Sequence, residues 1–569
     1  MDMDNHYLKN LVSRMSVEQK VGALLTLGFS GTVVKPHIRA AIEKYHCGGL
    51  RLTPHARTFG SYVDPRSGKT VVALSGGAGL KKELPAPLAT AREYAAVLAG
   101  LQRLARARPL GIPLHFSFDQ EGGTSADSFF EGVRFFPKPM GIRATGDPYL
   151  AYTSALAVAR QARAIGFNWI HSPVLDINTE PRNPEIYTRA YSDRAEEVVE
   201  YASAACMGLA HGKLIATGKH FPGRGDSPVD AHFETPVITV DKATMLEREL
   251  LPYRQLIERE LLPSIMIAHS IFPAFDGEHI ATVSKPILTG LLRETLGYEG
   301  VITTDSMTMG ALATRYGVPN ACALAVEAGA DLVLMKAENN LVGETFDAIM
   351  GFVKNGKIPE KELDAKVYRV LNAKYNVGLF TDFRREDPEK VMKSRGIVGL
   401  SKSIARRSVG ILRGKNIPLG GTEKILVVEQ INKCPNTLSW HSGIFYEQCL
   451  RHAPCAEYLE TEYTFDESDK QRVEAAAEGF NVIIITNFYI RGKLSNTAFL
   501  DDFCAKCQKA GKKVIIVTNT PYPLSVPAAA QDVLITYATS PDNIEAAAKA
   551  LFGAAHPEAF YPIAWREEA

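Results

Sequence analysis

Eight short apolar runs punctuate the first two-thirds of the chain, at residues 21–29, 48–53, 112–119, 167–176, 214–220, 264–269, 301–305 and 331–335. Segments with helical spacing and good helix formers separate most of them, among these 88–107, 147–165, 195–211, 241–261 and 284–296. Alternation of this kind reads as repeated βα units on a parallel sheet, and eight units close into a (β/α)8 TIM barrel. Several runs end on a polar or charged residue where a buried strand would stay apolar: Asp119, Asp176, Lys219 with His220, His269 and Asp305. Any one of them is compatible with a strand that merely leaves the core. As a set they point to one pocket, because the strand C-termini of a barrel form its catalytic face.

A chain of 569 residues exceeds what one hydrophobic core usually organises, so a second unit is expected. After a helical pattern at 363–379, the charged stretch 381–390 reads as a solvated connection. A smaller α/β unit follows, with strands at 424–428, 481–486, 513–518 and 532–537 and a last helix at 542–552 that starts at Asp542 and stops at Gly553. The expected division is a catalytic barrel over 1–380, a linker over 381–410 and a C-terminal αβα sandwich over 411–569.

Composition removes several function classes. The apolar share of 46% and charged share of 22% exclude a disordered or fibrous chain. With 64 basic and 63 acidic side chains the net charge is +1, so no bulk field recruits nucleic acid. Eight scattered cysteines are too sparse for a disulfide framework. The opening MDMDNHYLKN carries no secretory apolar core, and no run approaches the roughly 18 to 20 apolar residues of a membrane helix. A cytoplasmic protein that works off the membrane is expected. The single CxxC of Cys504 and Cys507 is expected to be incidental on a helix, and no HExxH or paired CxxC suggests a metal.

Four segments carry candidate chemistry. GKHFPGRGDSPVDAHFETP, 218–236, places Lys219 and His220 at a strand end and then Asp230 two residues before His232 on a loop. An Asp-x-His pair lets the carboxylate hold the imidazole in one tautomer and raise its basicity, as proton transfer requires; the alternative is a surface loop with incidental charges. GVITTDSMTMGAL, 300–312, delivers Asp305, whose carboxylate can attack an electrophilic carbon or stabilise a cation. In HFSFDQEGG, 115–123, Asp119 either binds vicinal sugar hydroxyls or caps the next turn. The stretch 168–193 ends with Arg189 on a loop able to reach the pocket or to remain a solvated face residue.

In combination and order, DQEGG at Asp119, FPKPMGIRATGDP (136–148), SPVLDIN from Ser172, NPEIYTRAYS from Asn183, GKHFPGRGD with its following Asp-Ala-His, and TTDSMTMGAL from Thr303 resemble glycoside hydrolase family 3, in its β-N-acetylglucosaminidase branch. The resemblance covers essentially the whole chain. It implies a retaining exo-glycosidase that removes terminal β-linked GlcNAc from small glycans, such as cell-wall muropeptides or chitooligosaccharides. It further implies Asp305 as the nucleophile, His232 as general acid/base, Asp230 as its orienting partner, and Asp119, Arg189, Lys219 and His220 as residues that hold the terminal sugar. No cofactor is implied, and the only partners are the glycan and, in a homodimer, a second copy of the chain.

The sequence departs from that branch at Arg224, where His is common, at Ala231, where Ser or Thr usually separates the dyad, and at Thr124, where Arg usually follows DQEGG. Residues 53–87 are also too long for a simple barrel loop and would emerge at the catalytic face. Their Gly76-Gly77-Ala78-Gly79 cluster lacks the Lys-Ser/Thr of a phosphate loop, so a substrate-shaping loop is expected there. These features leave a β-glucoside or β-N-acetylglucosaminide phosphorylase and a β-glucosidase as related readings, with a catalytically inactive sugar-binding protein as the reading of another class.

Overall fold

The computed structural model describes residues 2–54, 61–63, 70–72, 89–123, 125–231, 234–381, 385–431, 443–491, 495–561 and 563. Eight parallel strands form the expected barrel: β1 (Leu25–Ser30), β2 (Gly49–Thr53), β3 (His115–Phe118), β4 (Trp169–Ile170), β5 (Ile215–Phe221), β6 (Ser264–Ile267), β7 (Val301–Ser306) and β8 (Leu332–Met335). They pair in sequence order and β8 closes on β1, with Leu25 opposite Val333 and Leu27 opposite Met335. The (β/α)8 reading holds.

Local chemistry trims some of the expected strands. The run 21–29 is divided, because Val17–Ala23 is helical. Ser16 starts that helix with a capping box: its hydroxyl accepts from the Gln19 amide while the Gln19 side chain accepts from the Ser16 amide. The run 167–176 yields only the two residues of β4, since Pro173 has no N–H to lend a ladder; an isolated bridge from Val174 to Lys219 continues it. The helical pattern 241–261 opens as Lys242–Thr244, widens over Met245–Glu249 and continues as Leu251–Glu258. The widening falls just before Pro252, which cannot donate back to Arg248.

Polar groups inside the barrel pair with one another, as buried groups must. The Thr26 hydroxyl meets His115 Nε2 at 2.8 Å, and the Trp169 indole donates to Thr217 Oγ1 at 2.8 Å. On the helix Glu360–Asn376, the Lys374 ammonium donates to the carbonyls of Gly48 and Pro113 at 2.7 and 3.1 Å. Burial lowers that amine to about 7.

The second unit is a six-stranded sheet of β9 (Gly410–Gly414), β10 (Ile425–Ile431), β11 (Glu457–Glu462), β12 (Val482–Thr486), β13 (Lys513–Thr518) and β14 (Asp532–Ile535), in the order β9-β14-β13-β12-β10-β11. Only β9 runs antiparallel, against β14. The two strands that the sequence reading lacks, β9 and β11, are the edges, where glycines and alternating glutamates replace the buried aliphatic run. Two apolar layers cover the faces of this sheet, one around Ile425, Ile484 and Ile515 and the other around Val428, Ile483 and Ile516. Cys504 and Cys507 lie buried on the helix Thr497–Lys509.

The connection at 381–410 is helical over much of its described length. It carries the helices Pro388–Met392 and Arg395–Ser408, whose Ile397, Ile404 and Ala405 are buried. Ser401 on the second of these hydrogen-bonds both the Phe135 carbonyl, at 3.3 Å, and Asp542, at 2.6 Å. Asp542 therefore sits in the first turn of the last helix, which begins at Pro541. Tyrosines complete the junction: Tyr187 of the barrel packs with Tyr489, Tyr522 and Tyr537 of the sheet unit. Two short antiparallel strands, Ser61–Val63 and Thr70–Val72, lie in the long β2–β3 connection, whereas Gly76, Gly77, Ala78 and Gly79 fall outside the described residues. Among the described residues no helix is long and apolar enough to cross a membrane.

One glycine records how tightly β1 and the exit of β8 approach. A Cβ on Gly28 would stand 2.4 Å from the Lys336 carbonyl oxygen and 2.6 Å from the Glu338 amide nitrogen, both backbone atoms. Gly28→Ala is expected to destabilise the fold by about 1–3 kcal/mol through overpacking, read as a lower midpoint in urea with an unchanged slope.

Candidate active site

At the exit of β3, Asp119 meets a ring of cations. Arg51 Nη2 lies 2.5 Å from Asp119 Oδ2, Lys336 Nζ 3.2 Å from the same oxygen, and Lys219 Nζ 3.3 Å from Oδ1. Asp127 supports the arrangement by accepting from the Asp119 amide at 2.6 Å and pairing with Arg51 at 2.7 Å. Burial works against ionisation of Asp119, but Lys219, Arg51 and Lys336 outweigh it and hold the carboxyl well below its usual range. It is an anion and an acceptor only.

Two residues on, Glu121 takes both arms of Arg189, at 2.7 and 2.9 Å, and the Lys219 ammonium at 2.5 Å. Burial pushes this carboxyl up, yet Arg189 and Lys219 bring it down to about 2. Arg189 thus reaches the pocket, with its guanidinium already committed to Glu121. His220 places Nδ1 2.6 Å from Asp176 Oδ2, while Asp176 Oδ1 accepts from the Arg224 amide at 2.8 Å. Burial raises Asp176 to about 6. Burial, with Arg224, Arg189 and Lys219 nearby, keeps the His220 imidazole neutral. His269 is likewise occupied, with Nδ1 2.6 Å from Thr282 Oγ1 and Nε2 3.0 Å from the Ser306 carbonyl.

The loop after β5 leaves the barrel against the loop after β4, so closely that a Cβ on Gly225 would overlap the Ile177 carbonyl oxygen at 1.6 Å. This contact delivers Arg224 between two carboxylates. Its Nη2 is 2.8 Å from Glu185 Oε1 and 3.6 Å from Asp305 Oδ2. Asp305, at the end of β7, also accepts from the Ser306 amide at 2.7 Å. Glu185 reaches further: its Oε2 accepts from the Ala231 amide at 3.1 Å, inside the Asp-Ala-His segment. Asp230 is buried, and Arg491 of the sheet unit places Nε 3.8 Å from it and Nη1 3.6 Å from Glu185. His232 lies outside the described residues, as does Thr124.

Exposure sorts these carboxylates. The Asp119 and Asp305 side chains keep 19% and 16% of their surface open to solvent, whereas Glu121, Glu185 and Asp176 keep 4%, 2% and none. The first pair can meet a ligand, and the second group can only support it. Glu121 and Glu185 stand inside motifs that the sequence reading quoted but did not single out; acidic residues between glycine and proline positions were the available signal. Nothing local marks Arg51 or Arg491. Among the described residues, no group of His, Cys, Asp and Glu is disposed to hold a metal ion.

Two buried carboxyls carry opposite pH signatures. Glu249, on the widened turn, has Oε1 2.6 Å from Arg248 Nε and Oε2 3.0 Å from where a Cβ on Gly223 would stand; burial raises it to about 7 against the pull of Arg248. Stability tied to that proton is complete below the ordinary value of about 4.3 and is lost as pH rises through about 7. Glu249→Gln is therefore expected to gain stability relative to the native chain between pH 5 and pH 8, measured by thermal melts; a pH-independent gap refutes the protonated carboxyl. Glu121 has the reverse sign, its contribution being present above about 4.3 and lost as pH falls through about 2. Removing it takes from the buried Arg189 and Lys219 the anion nearest to each, so Glu121→Ala should cost about 3–5 kcal/mol in denaturant unfolding at neutral pH.

Comparison with known proteins addresses the family and the fold. The description "Glycosyl hydrolase family 3 N terminal domain" matches residues 16–373. Beta-hexosaminidase A of Pseudoalteromonas piscicida is 29% identical over 295 residues, 48% of this chain and 49% of that protein. The beta-N-acetylglucosaminidase/beta-glucosidase of Cellulomonas fimi is 28% identical over 342 residues, 57% of this chain and 59% of that one. The match thus spans less than two-thirds of either relative. Among solved structures, the family 3 beta-N-acetylglucosaminidase of Paenibacillus sp. str. FPU-7 superposes with a TM-score of 0.82 at 26% identity, covering 96% of this chain and 99% of that one. With more than half of its length matched by the family description and the barrel closed as that family requires, the chain belongs to glycosyl hydrolase family 3.

Proposed function

We propose that the protein is a retaining exo-β-N-acetylglucosaminidase that hydrolyses terminal β-linked GlcNAc from small glycans, such as cell-wall muropeptides or chitooligosaccharides, in the cytoplasm. The observation that carries this reading is the link Asp305–Arg224–Glu185–Ala231, in which one buried arginine and one buried glutamate join the end of β7 to the Asp230 loop. In this reading the ionised Asp119, with Lys219, Arg189 and His220 around it, holds the hydroxyls of the terminal sugar. Asp305 attacks the anomeric carbon and forms the C–O bond of a glycosyl-enzyme while His232, oriented by Asp230, gives its proton to the departing oxygen. The same imidazole, now neutral, takes a proton from water as that water displaces Asp305 and releases the sugar. Most retaining glycosidases use two carboxylates; a neutral imidazole in place of the second would not repel an anion.

That property supports a second reading, phosphorolysis. Arg224 is buried beside Asp305, and its Nε and Nη1 have no hydrogen-bond partner among the described residues. A phosphate in place of water would meet the positive charge of Arg224 beside Asp305. The division into a barrel over 1–380, a joint over 381–410 and a sandwich over 411–569 belongs to the same proposal, as does a monomeric or homodimeric state.

The purified chain is tested on p-nitrophenyl β-N-acetylglucosaminide and its β-glucoside analogue, with and without phosphate. Release from the acetamido substrate in phosphate-free buffer is expected, falling at least about a thousandfold in Asp305→Ala. A glucoside preference refutes the acetamido assignment. Phosphate-dependent release with a sugar 1-phosphate product establishes the second reading, and no release from either sugar leaves a binding protein.

A further inference from the structure

Glu185 is met by three arginines, and each of them pairs with one other carboxylate of the site. Arg189, 3.9 Å away, holds Glu121; Arg224, at 2.8 Å, approaches Asp305; and Arg491, at 3.6 Å, approaches Asp230. Two of these arginines come from barrel loops. Arg491 does not: it follows β12 in the sheet unit, more than two hundred and fifty positions beyond Asp230 in the chain.

Its placement is firm. Tyr489, two residues before it, exchanges two hydrogen bonds with Asn519, donating its amide at 2.8 Å and accepting at its carbonyl at 3.0 Å. The Tyr489 hydroxyl then donates to the Pro184 carbonyl at 2.7 Å, directly before Glu185, and its ring meets Tyr187 edge-on at 5.0 Å. Asn487 fastens the start of the same segment, donating its amide to the Val517 carbonyl and its side chain to the Ser525 carbonyl, each at 2.8 Å. The strut therefore rises from the sheet, touches the barrel at Pro184 and sets a guanidinium against the loop of the Asp-Ala-His pair.

Distances of 3.6 and 3.8 Å would mean little between solvated side chains. Here both anions are buried, at 2% and 8% exposure, while Arg491 is 35% exposed, so its field reaches them less screened than it would between two solvated partners. We infer that Arg491 is a positioning residue for proton transfer, acting through Asp230 and Glu185, so that the sheet unit completes the catalytic machinery of the barrel. The inference rests on the reading of Asp230 and His232 as the proton-transfer pair.

The test uses the full chain and kcat/KM, which reports the first, proton-donating step. Two β-N-acetylglucosaminides are compared: the 2,4-dinitrophenyl glycoside, whose leaving group needs little protonation, and chitobiose, whose leaving sugar needs it fully. Arg491→Ala is expected to lower kcat/KM on chitobiose about tenfold or more, part of the roughly hundredfold to ten-thousandfold worth of a general acid, and to change the dinitrophenyl value less than about threefold. Arg491→Lys should restore part of the loss. Arg491→Ala combined with Asp230→Ala should be no slower than Asp230→Ala alone, since both act on one pair. An equal fall on both substrates, or a double variant in which the two losses multiply, overturns the proposal. Turnover that survives Asp305→Ala, or an Asp230→Ala loss that ignores the leaving group, overturns the reading of the site itself by a separate signature.

Discussion

A single buried carboxylate, that of Glu185, is the interaction on which the arrangement of the site depends. Its two oxygens accept from the Ala231 amide and face Arg189, Arg224 and Arg491. Three cations around one anion would repel one another, and the structure resolves this by giving each a second partner in Glu121, Asp305 or Asp230. The charges thus alternate from β3, across the β4 and β5 loops, to the end of β7. Burial makes such a lattice strict at its centre, because removal of Glu185 takes one anion from all three arginines at once.

The same alternation divides labour among the acids of the barrel mouth. Asp119 is ionised and partly open, and so is available to hydroxyl groups; Asp176 is shut in and raised, sharing its environment with a neutral His220. Both stand where a barrel strand gives way to a loop, and the difference comes from their neighbours: Arg51, Lys219 and Lys336 around the one, and full burial around the other. A family 3 barrel can in this way place similar residue types at similar positions and still shift their carboxyls in opposite directions.

Much of this was legible in the chain. A period of apolar runs is a global signal: eight of them identified the barrel, and the polar ends of five identified the face that matters; the eighth strand, at 332–335, begins one residue from its expected place. The losses follow physical rules. Strand β4 is short because a proline interrupts it, and β9 and β11 were missed because edges need no buried aliphatic run. Asp119, Lys219, Arg189, Asp305 and Asp230 were readable as polar residues at strand ends and in loops, and the structure gathers them into one network. His220 joins it with its Nδ1 held by Asp176. Arg491 was unreadable because its meaning arises only when the sheet unit docks, and no spacing in the sequence encodes that contact.

The helix Arg395–Ser408 gives the molecule a particular mechanics. With Ser401 bonded on one side to the Phe135 carbonyl and on the other to Asp542, and with Arg407 paired to Asp147 at 3.2 Å, it acts as a weld and not as a hinge. Swinging one unit away from the other would break these contacts. The separation of the two units is thus set by this frame, and adjustment at the barrel mouth is left to the loops that follow its strands.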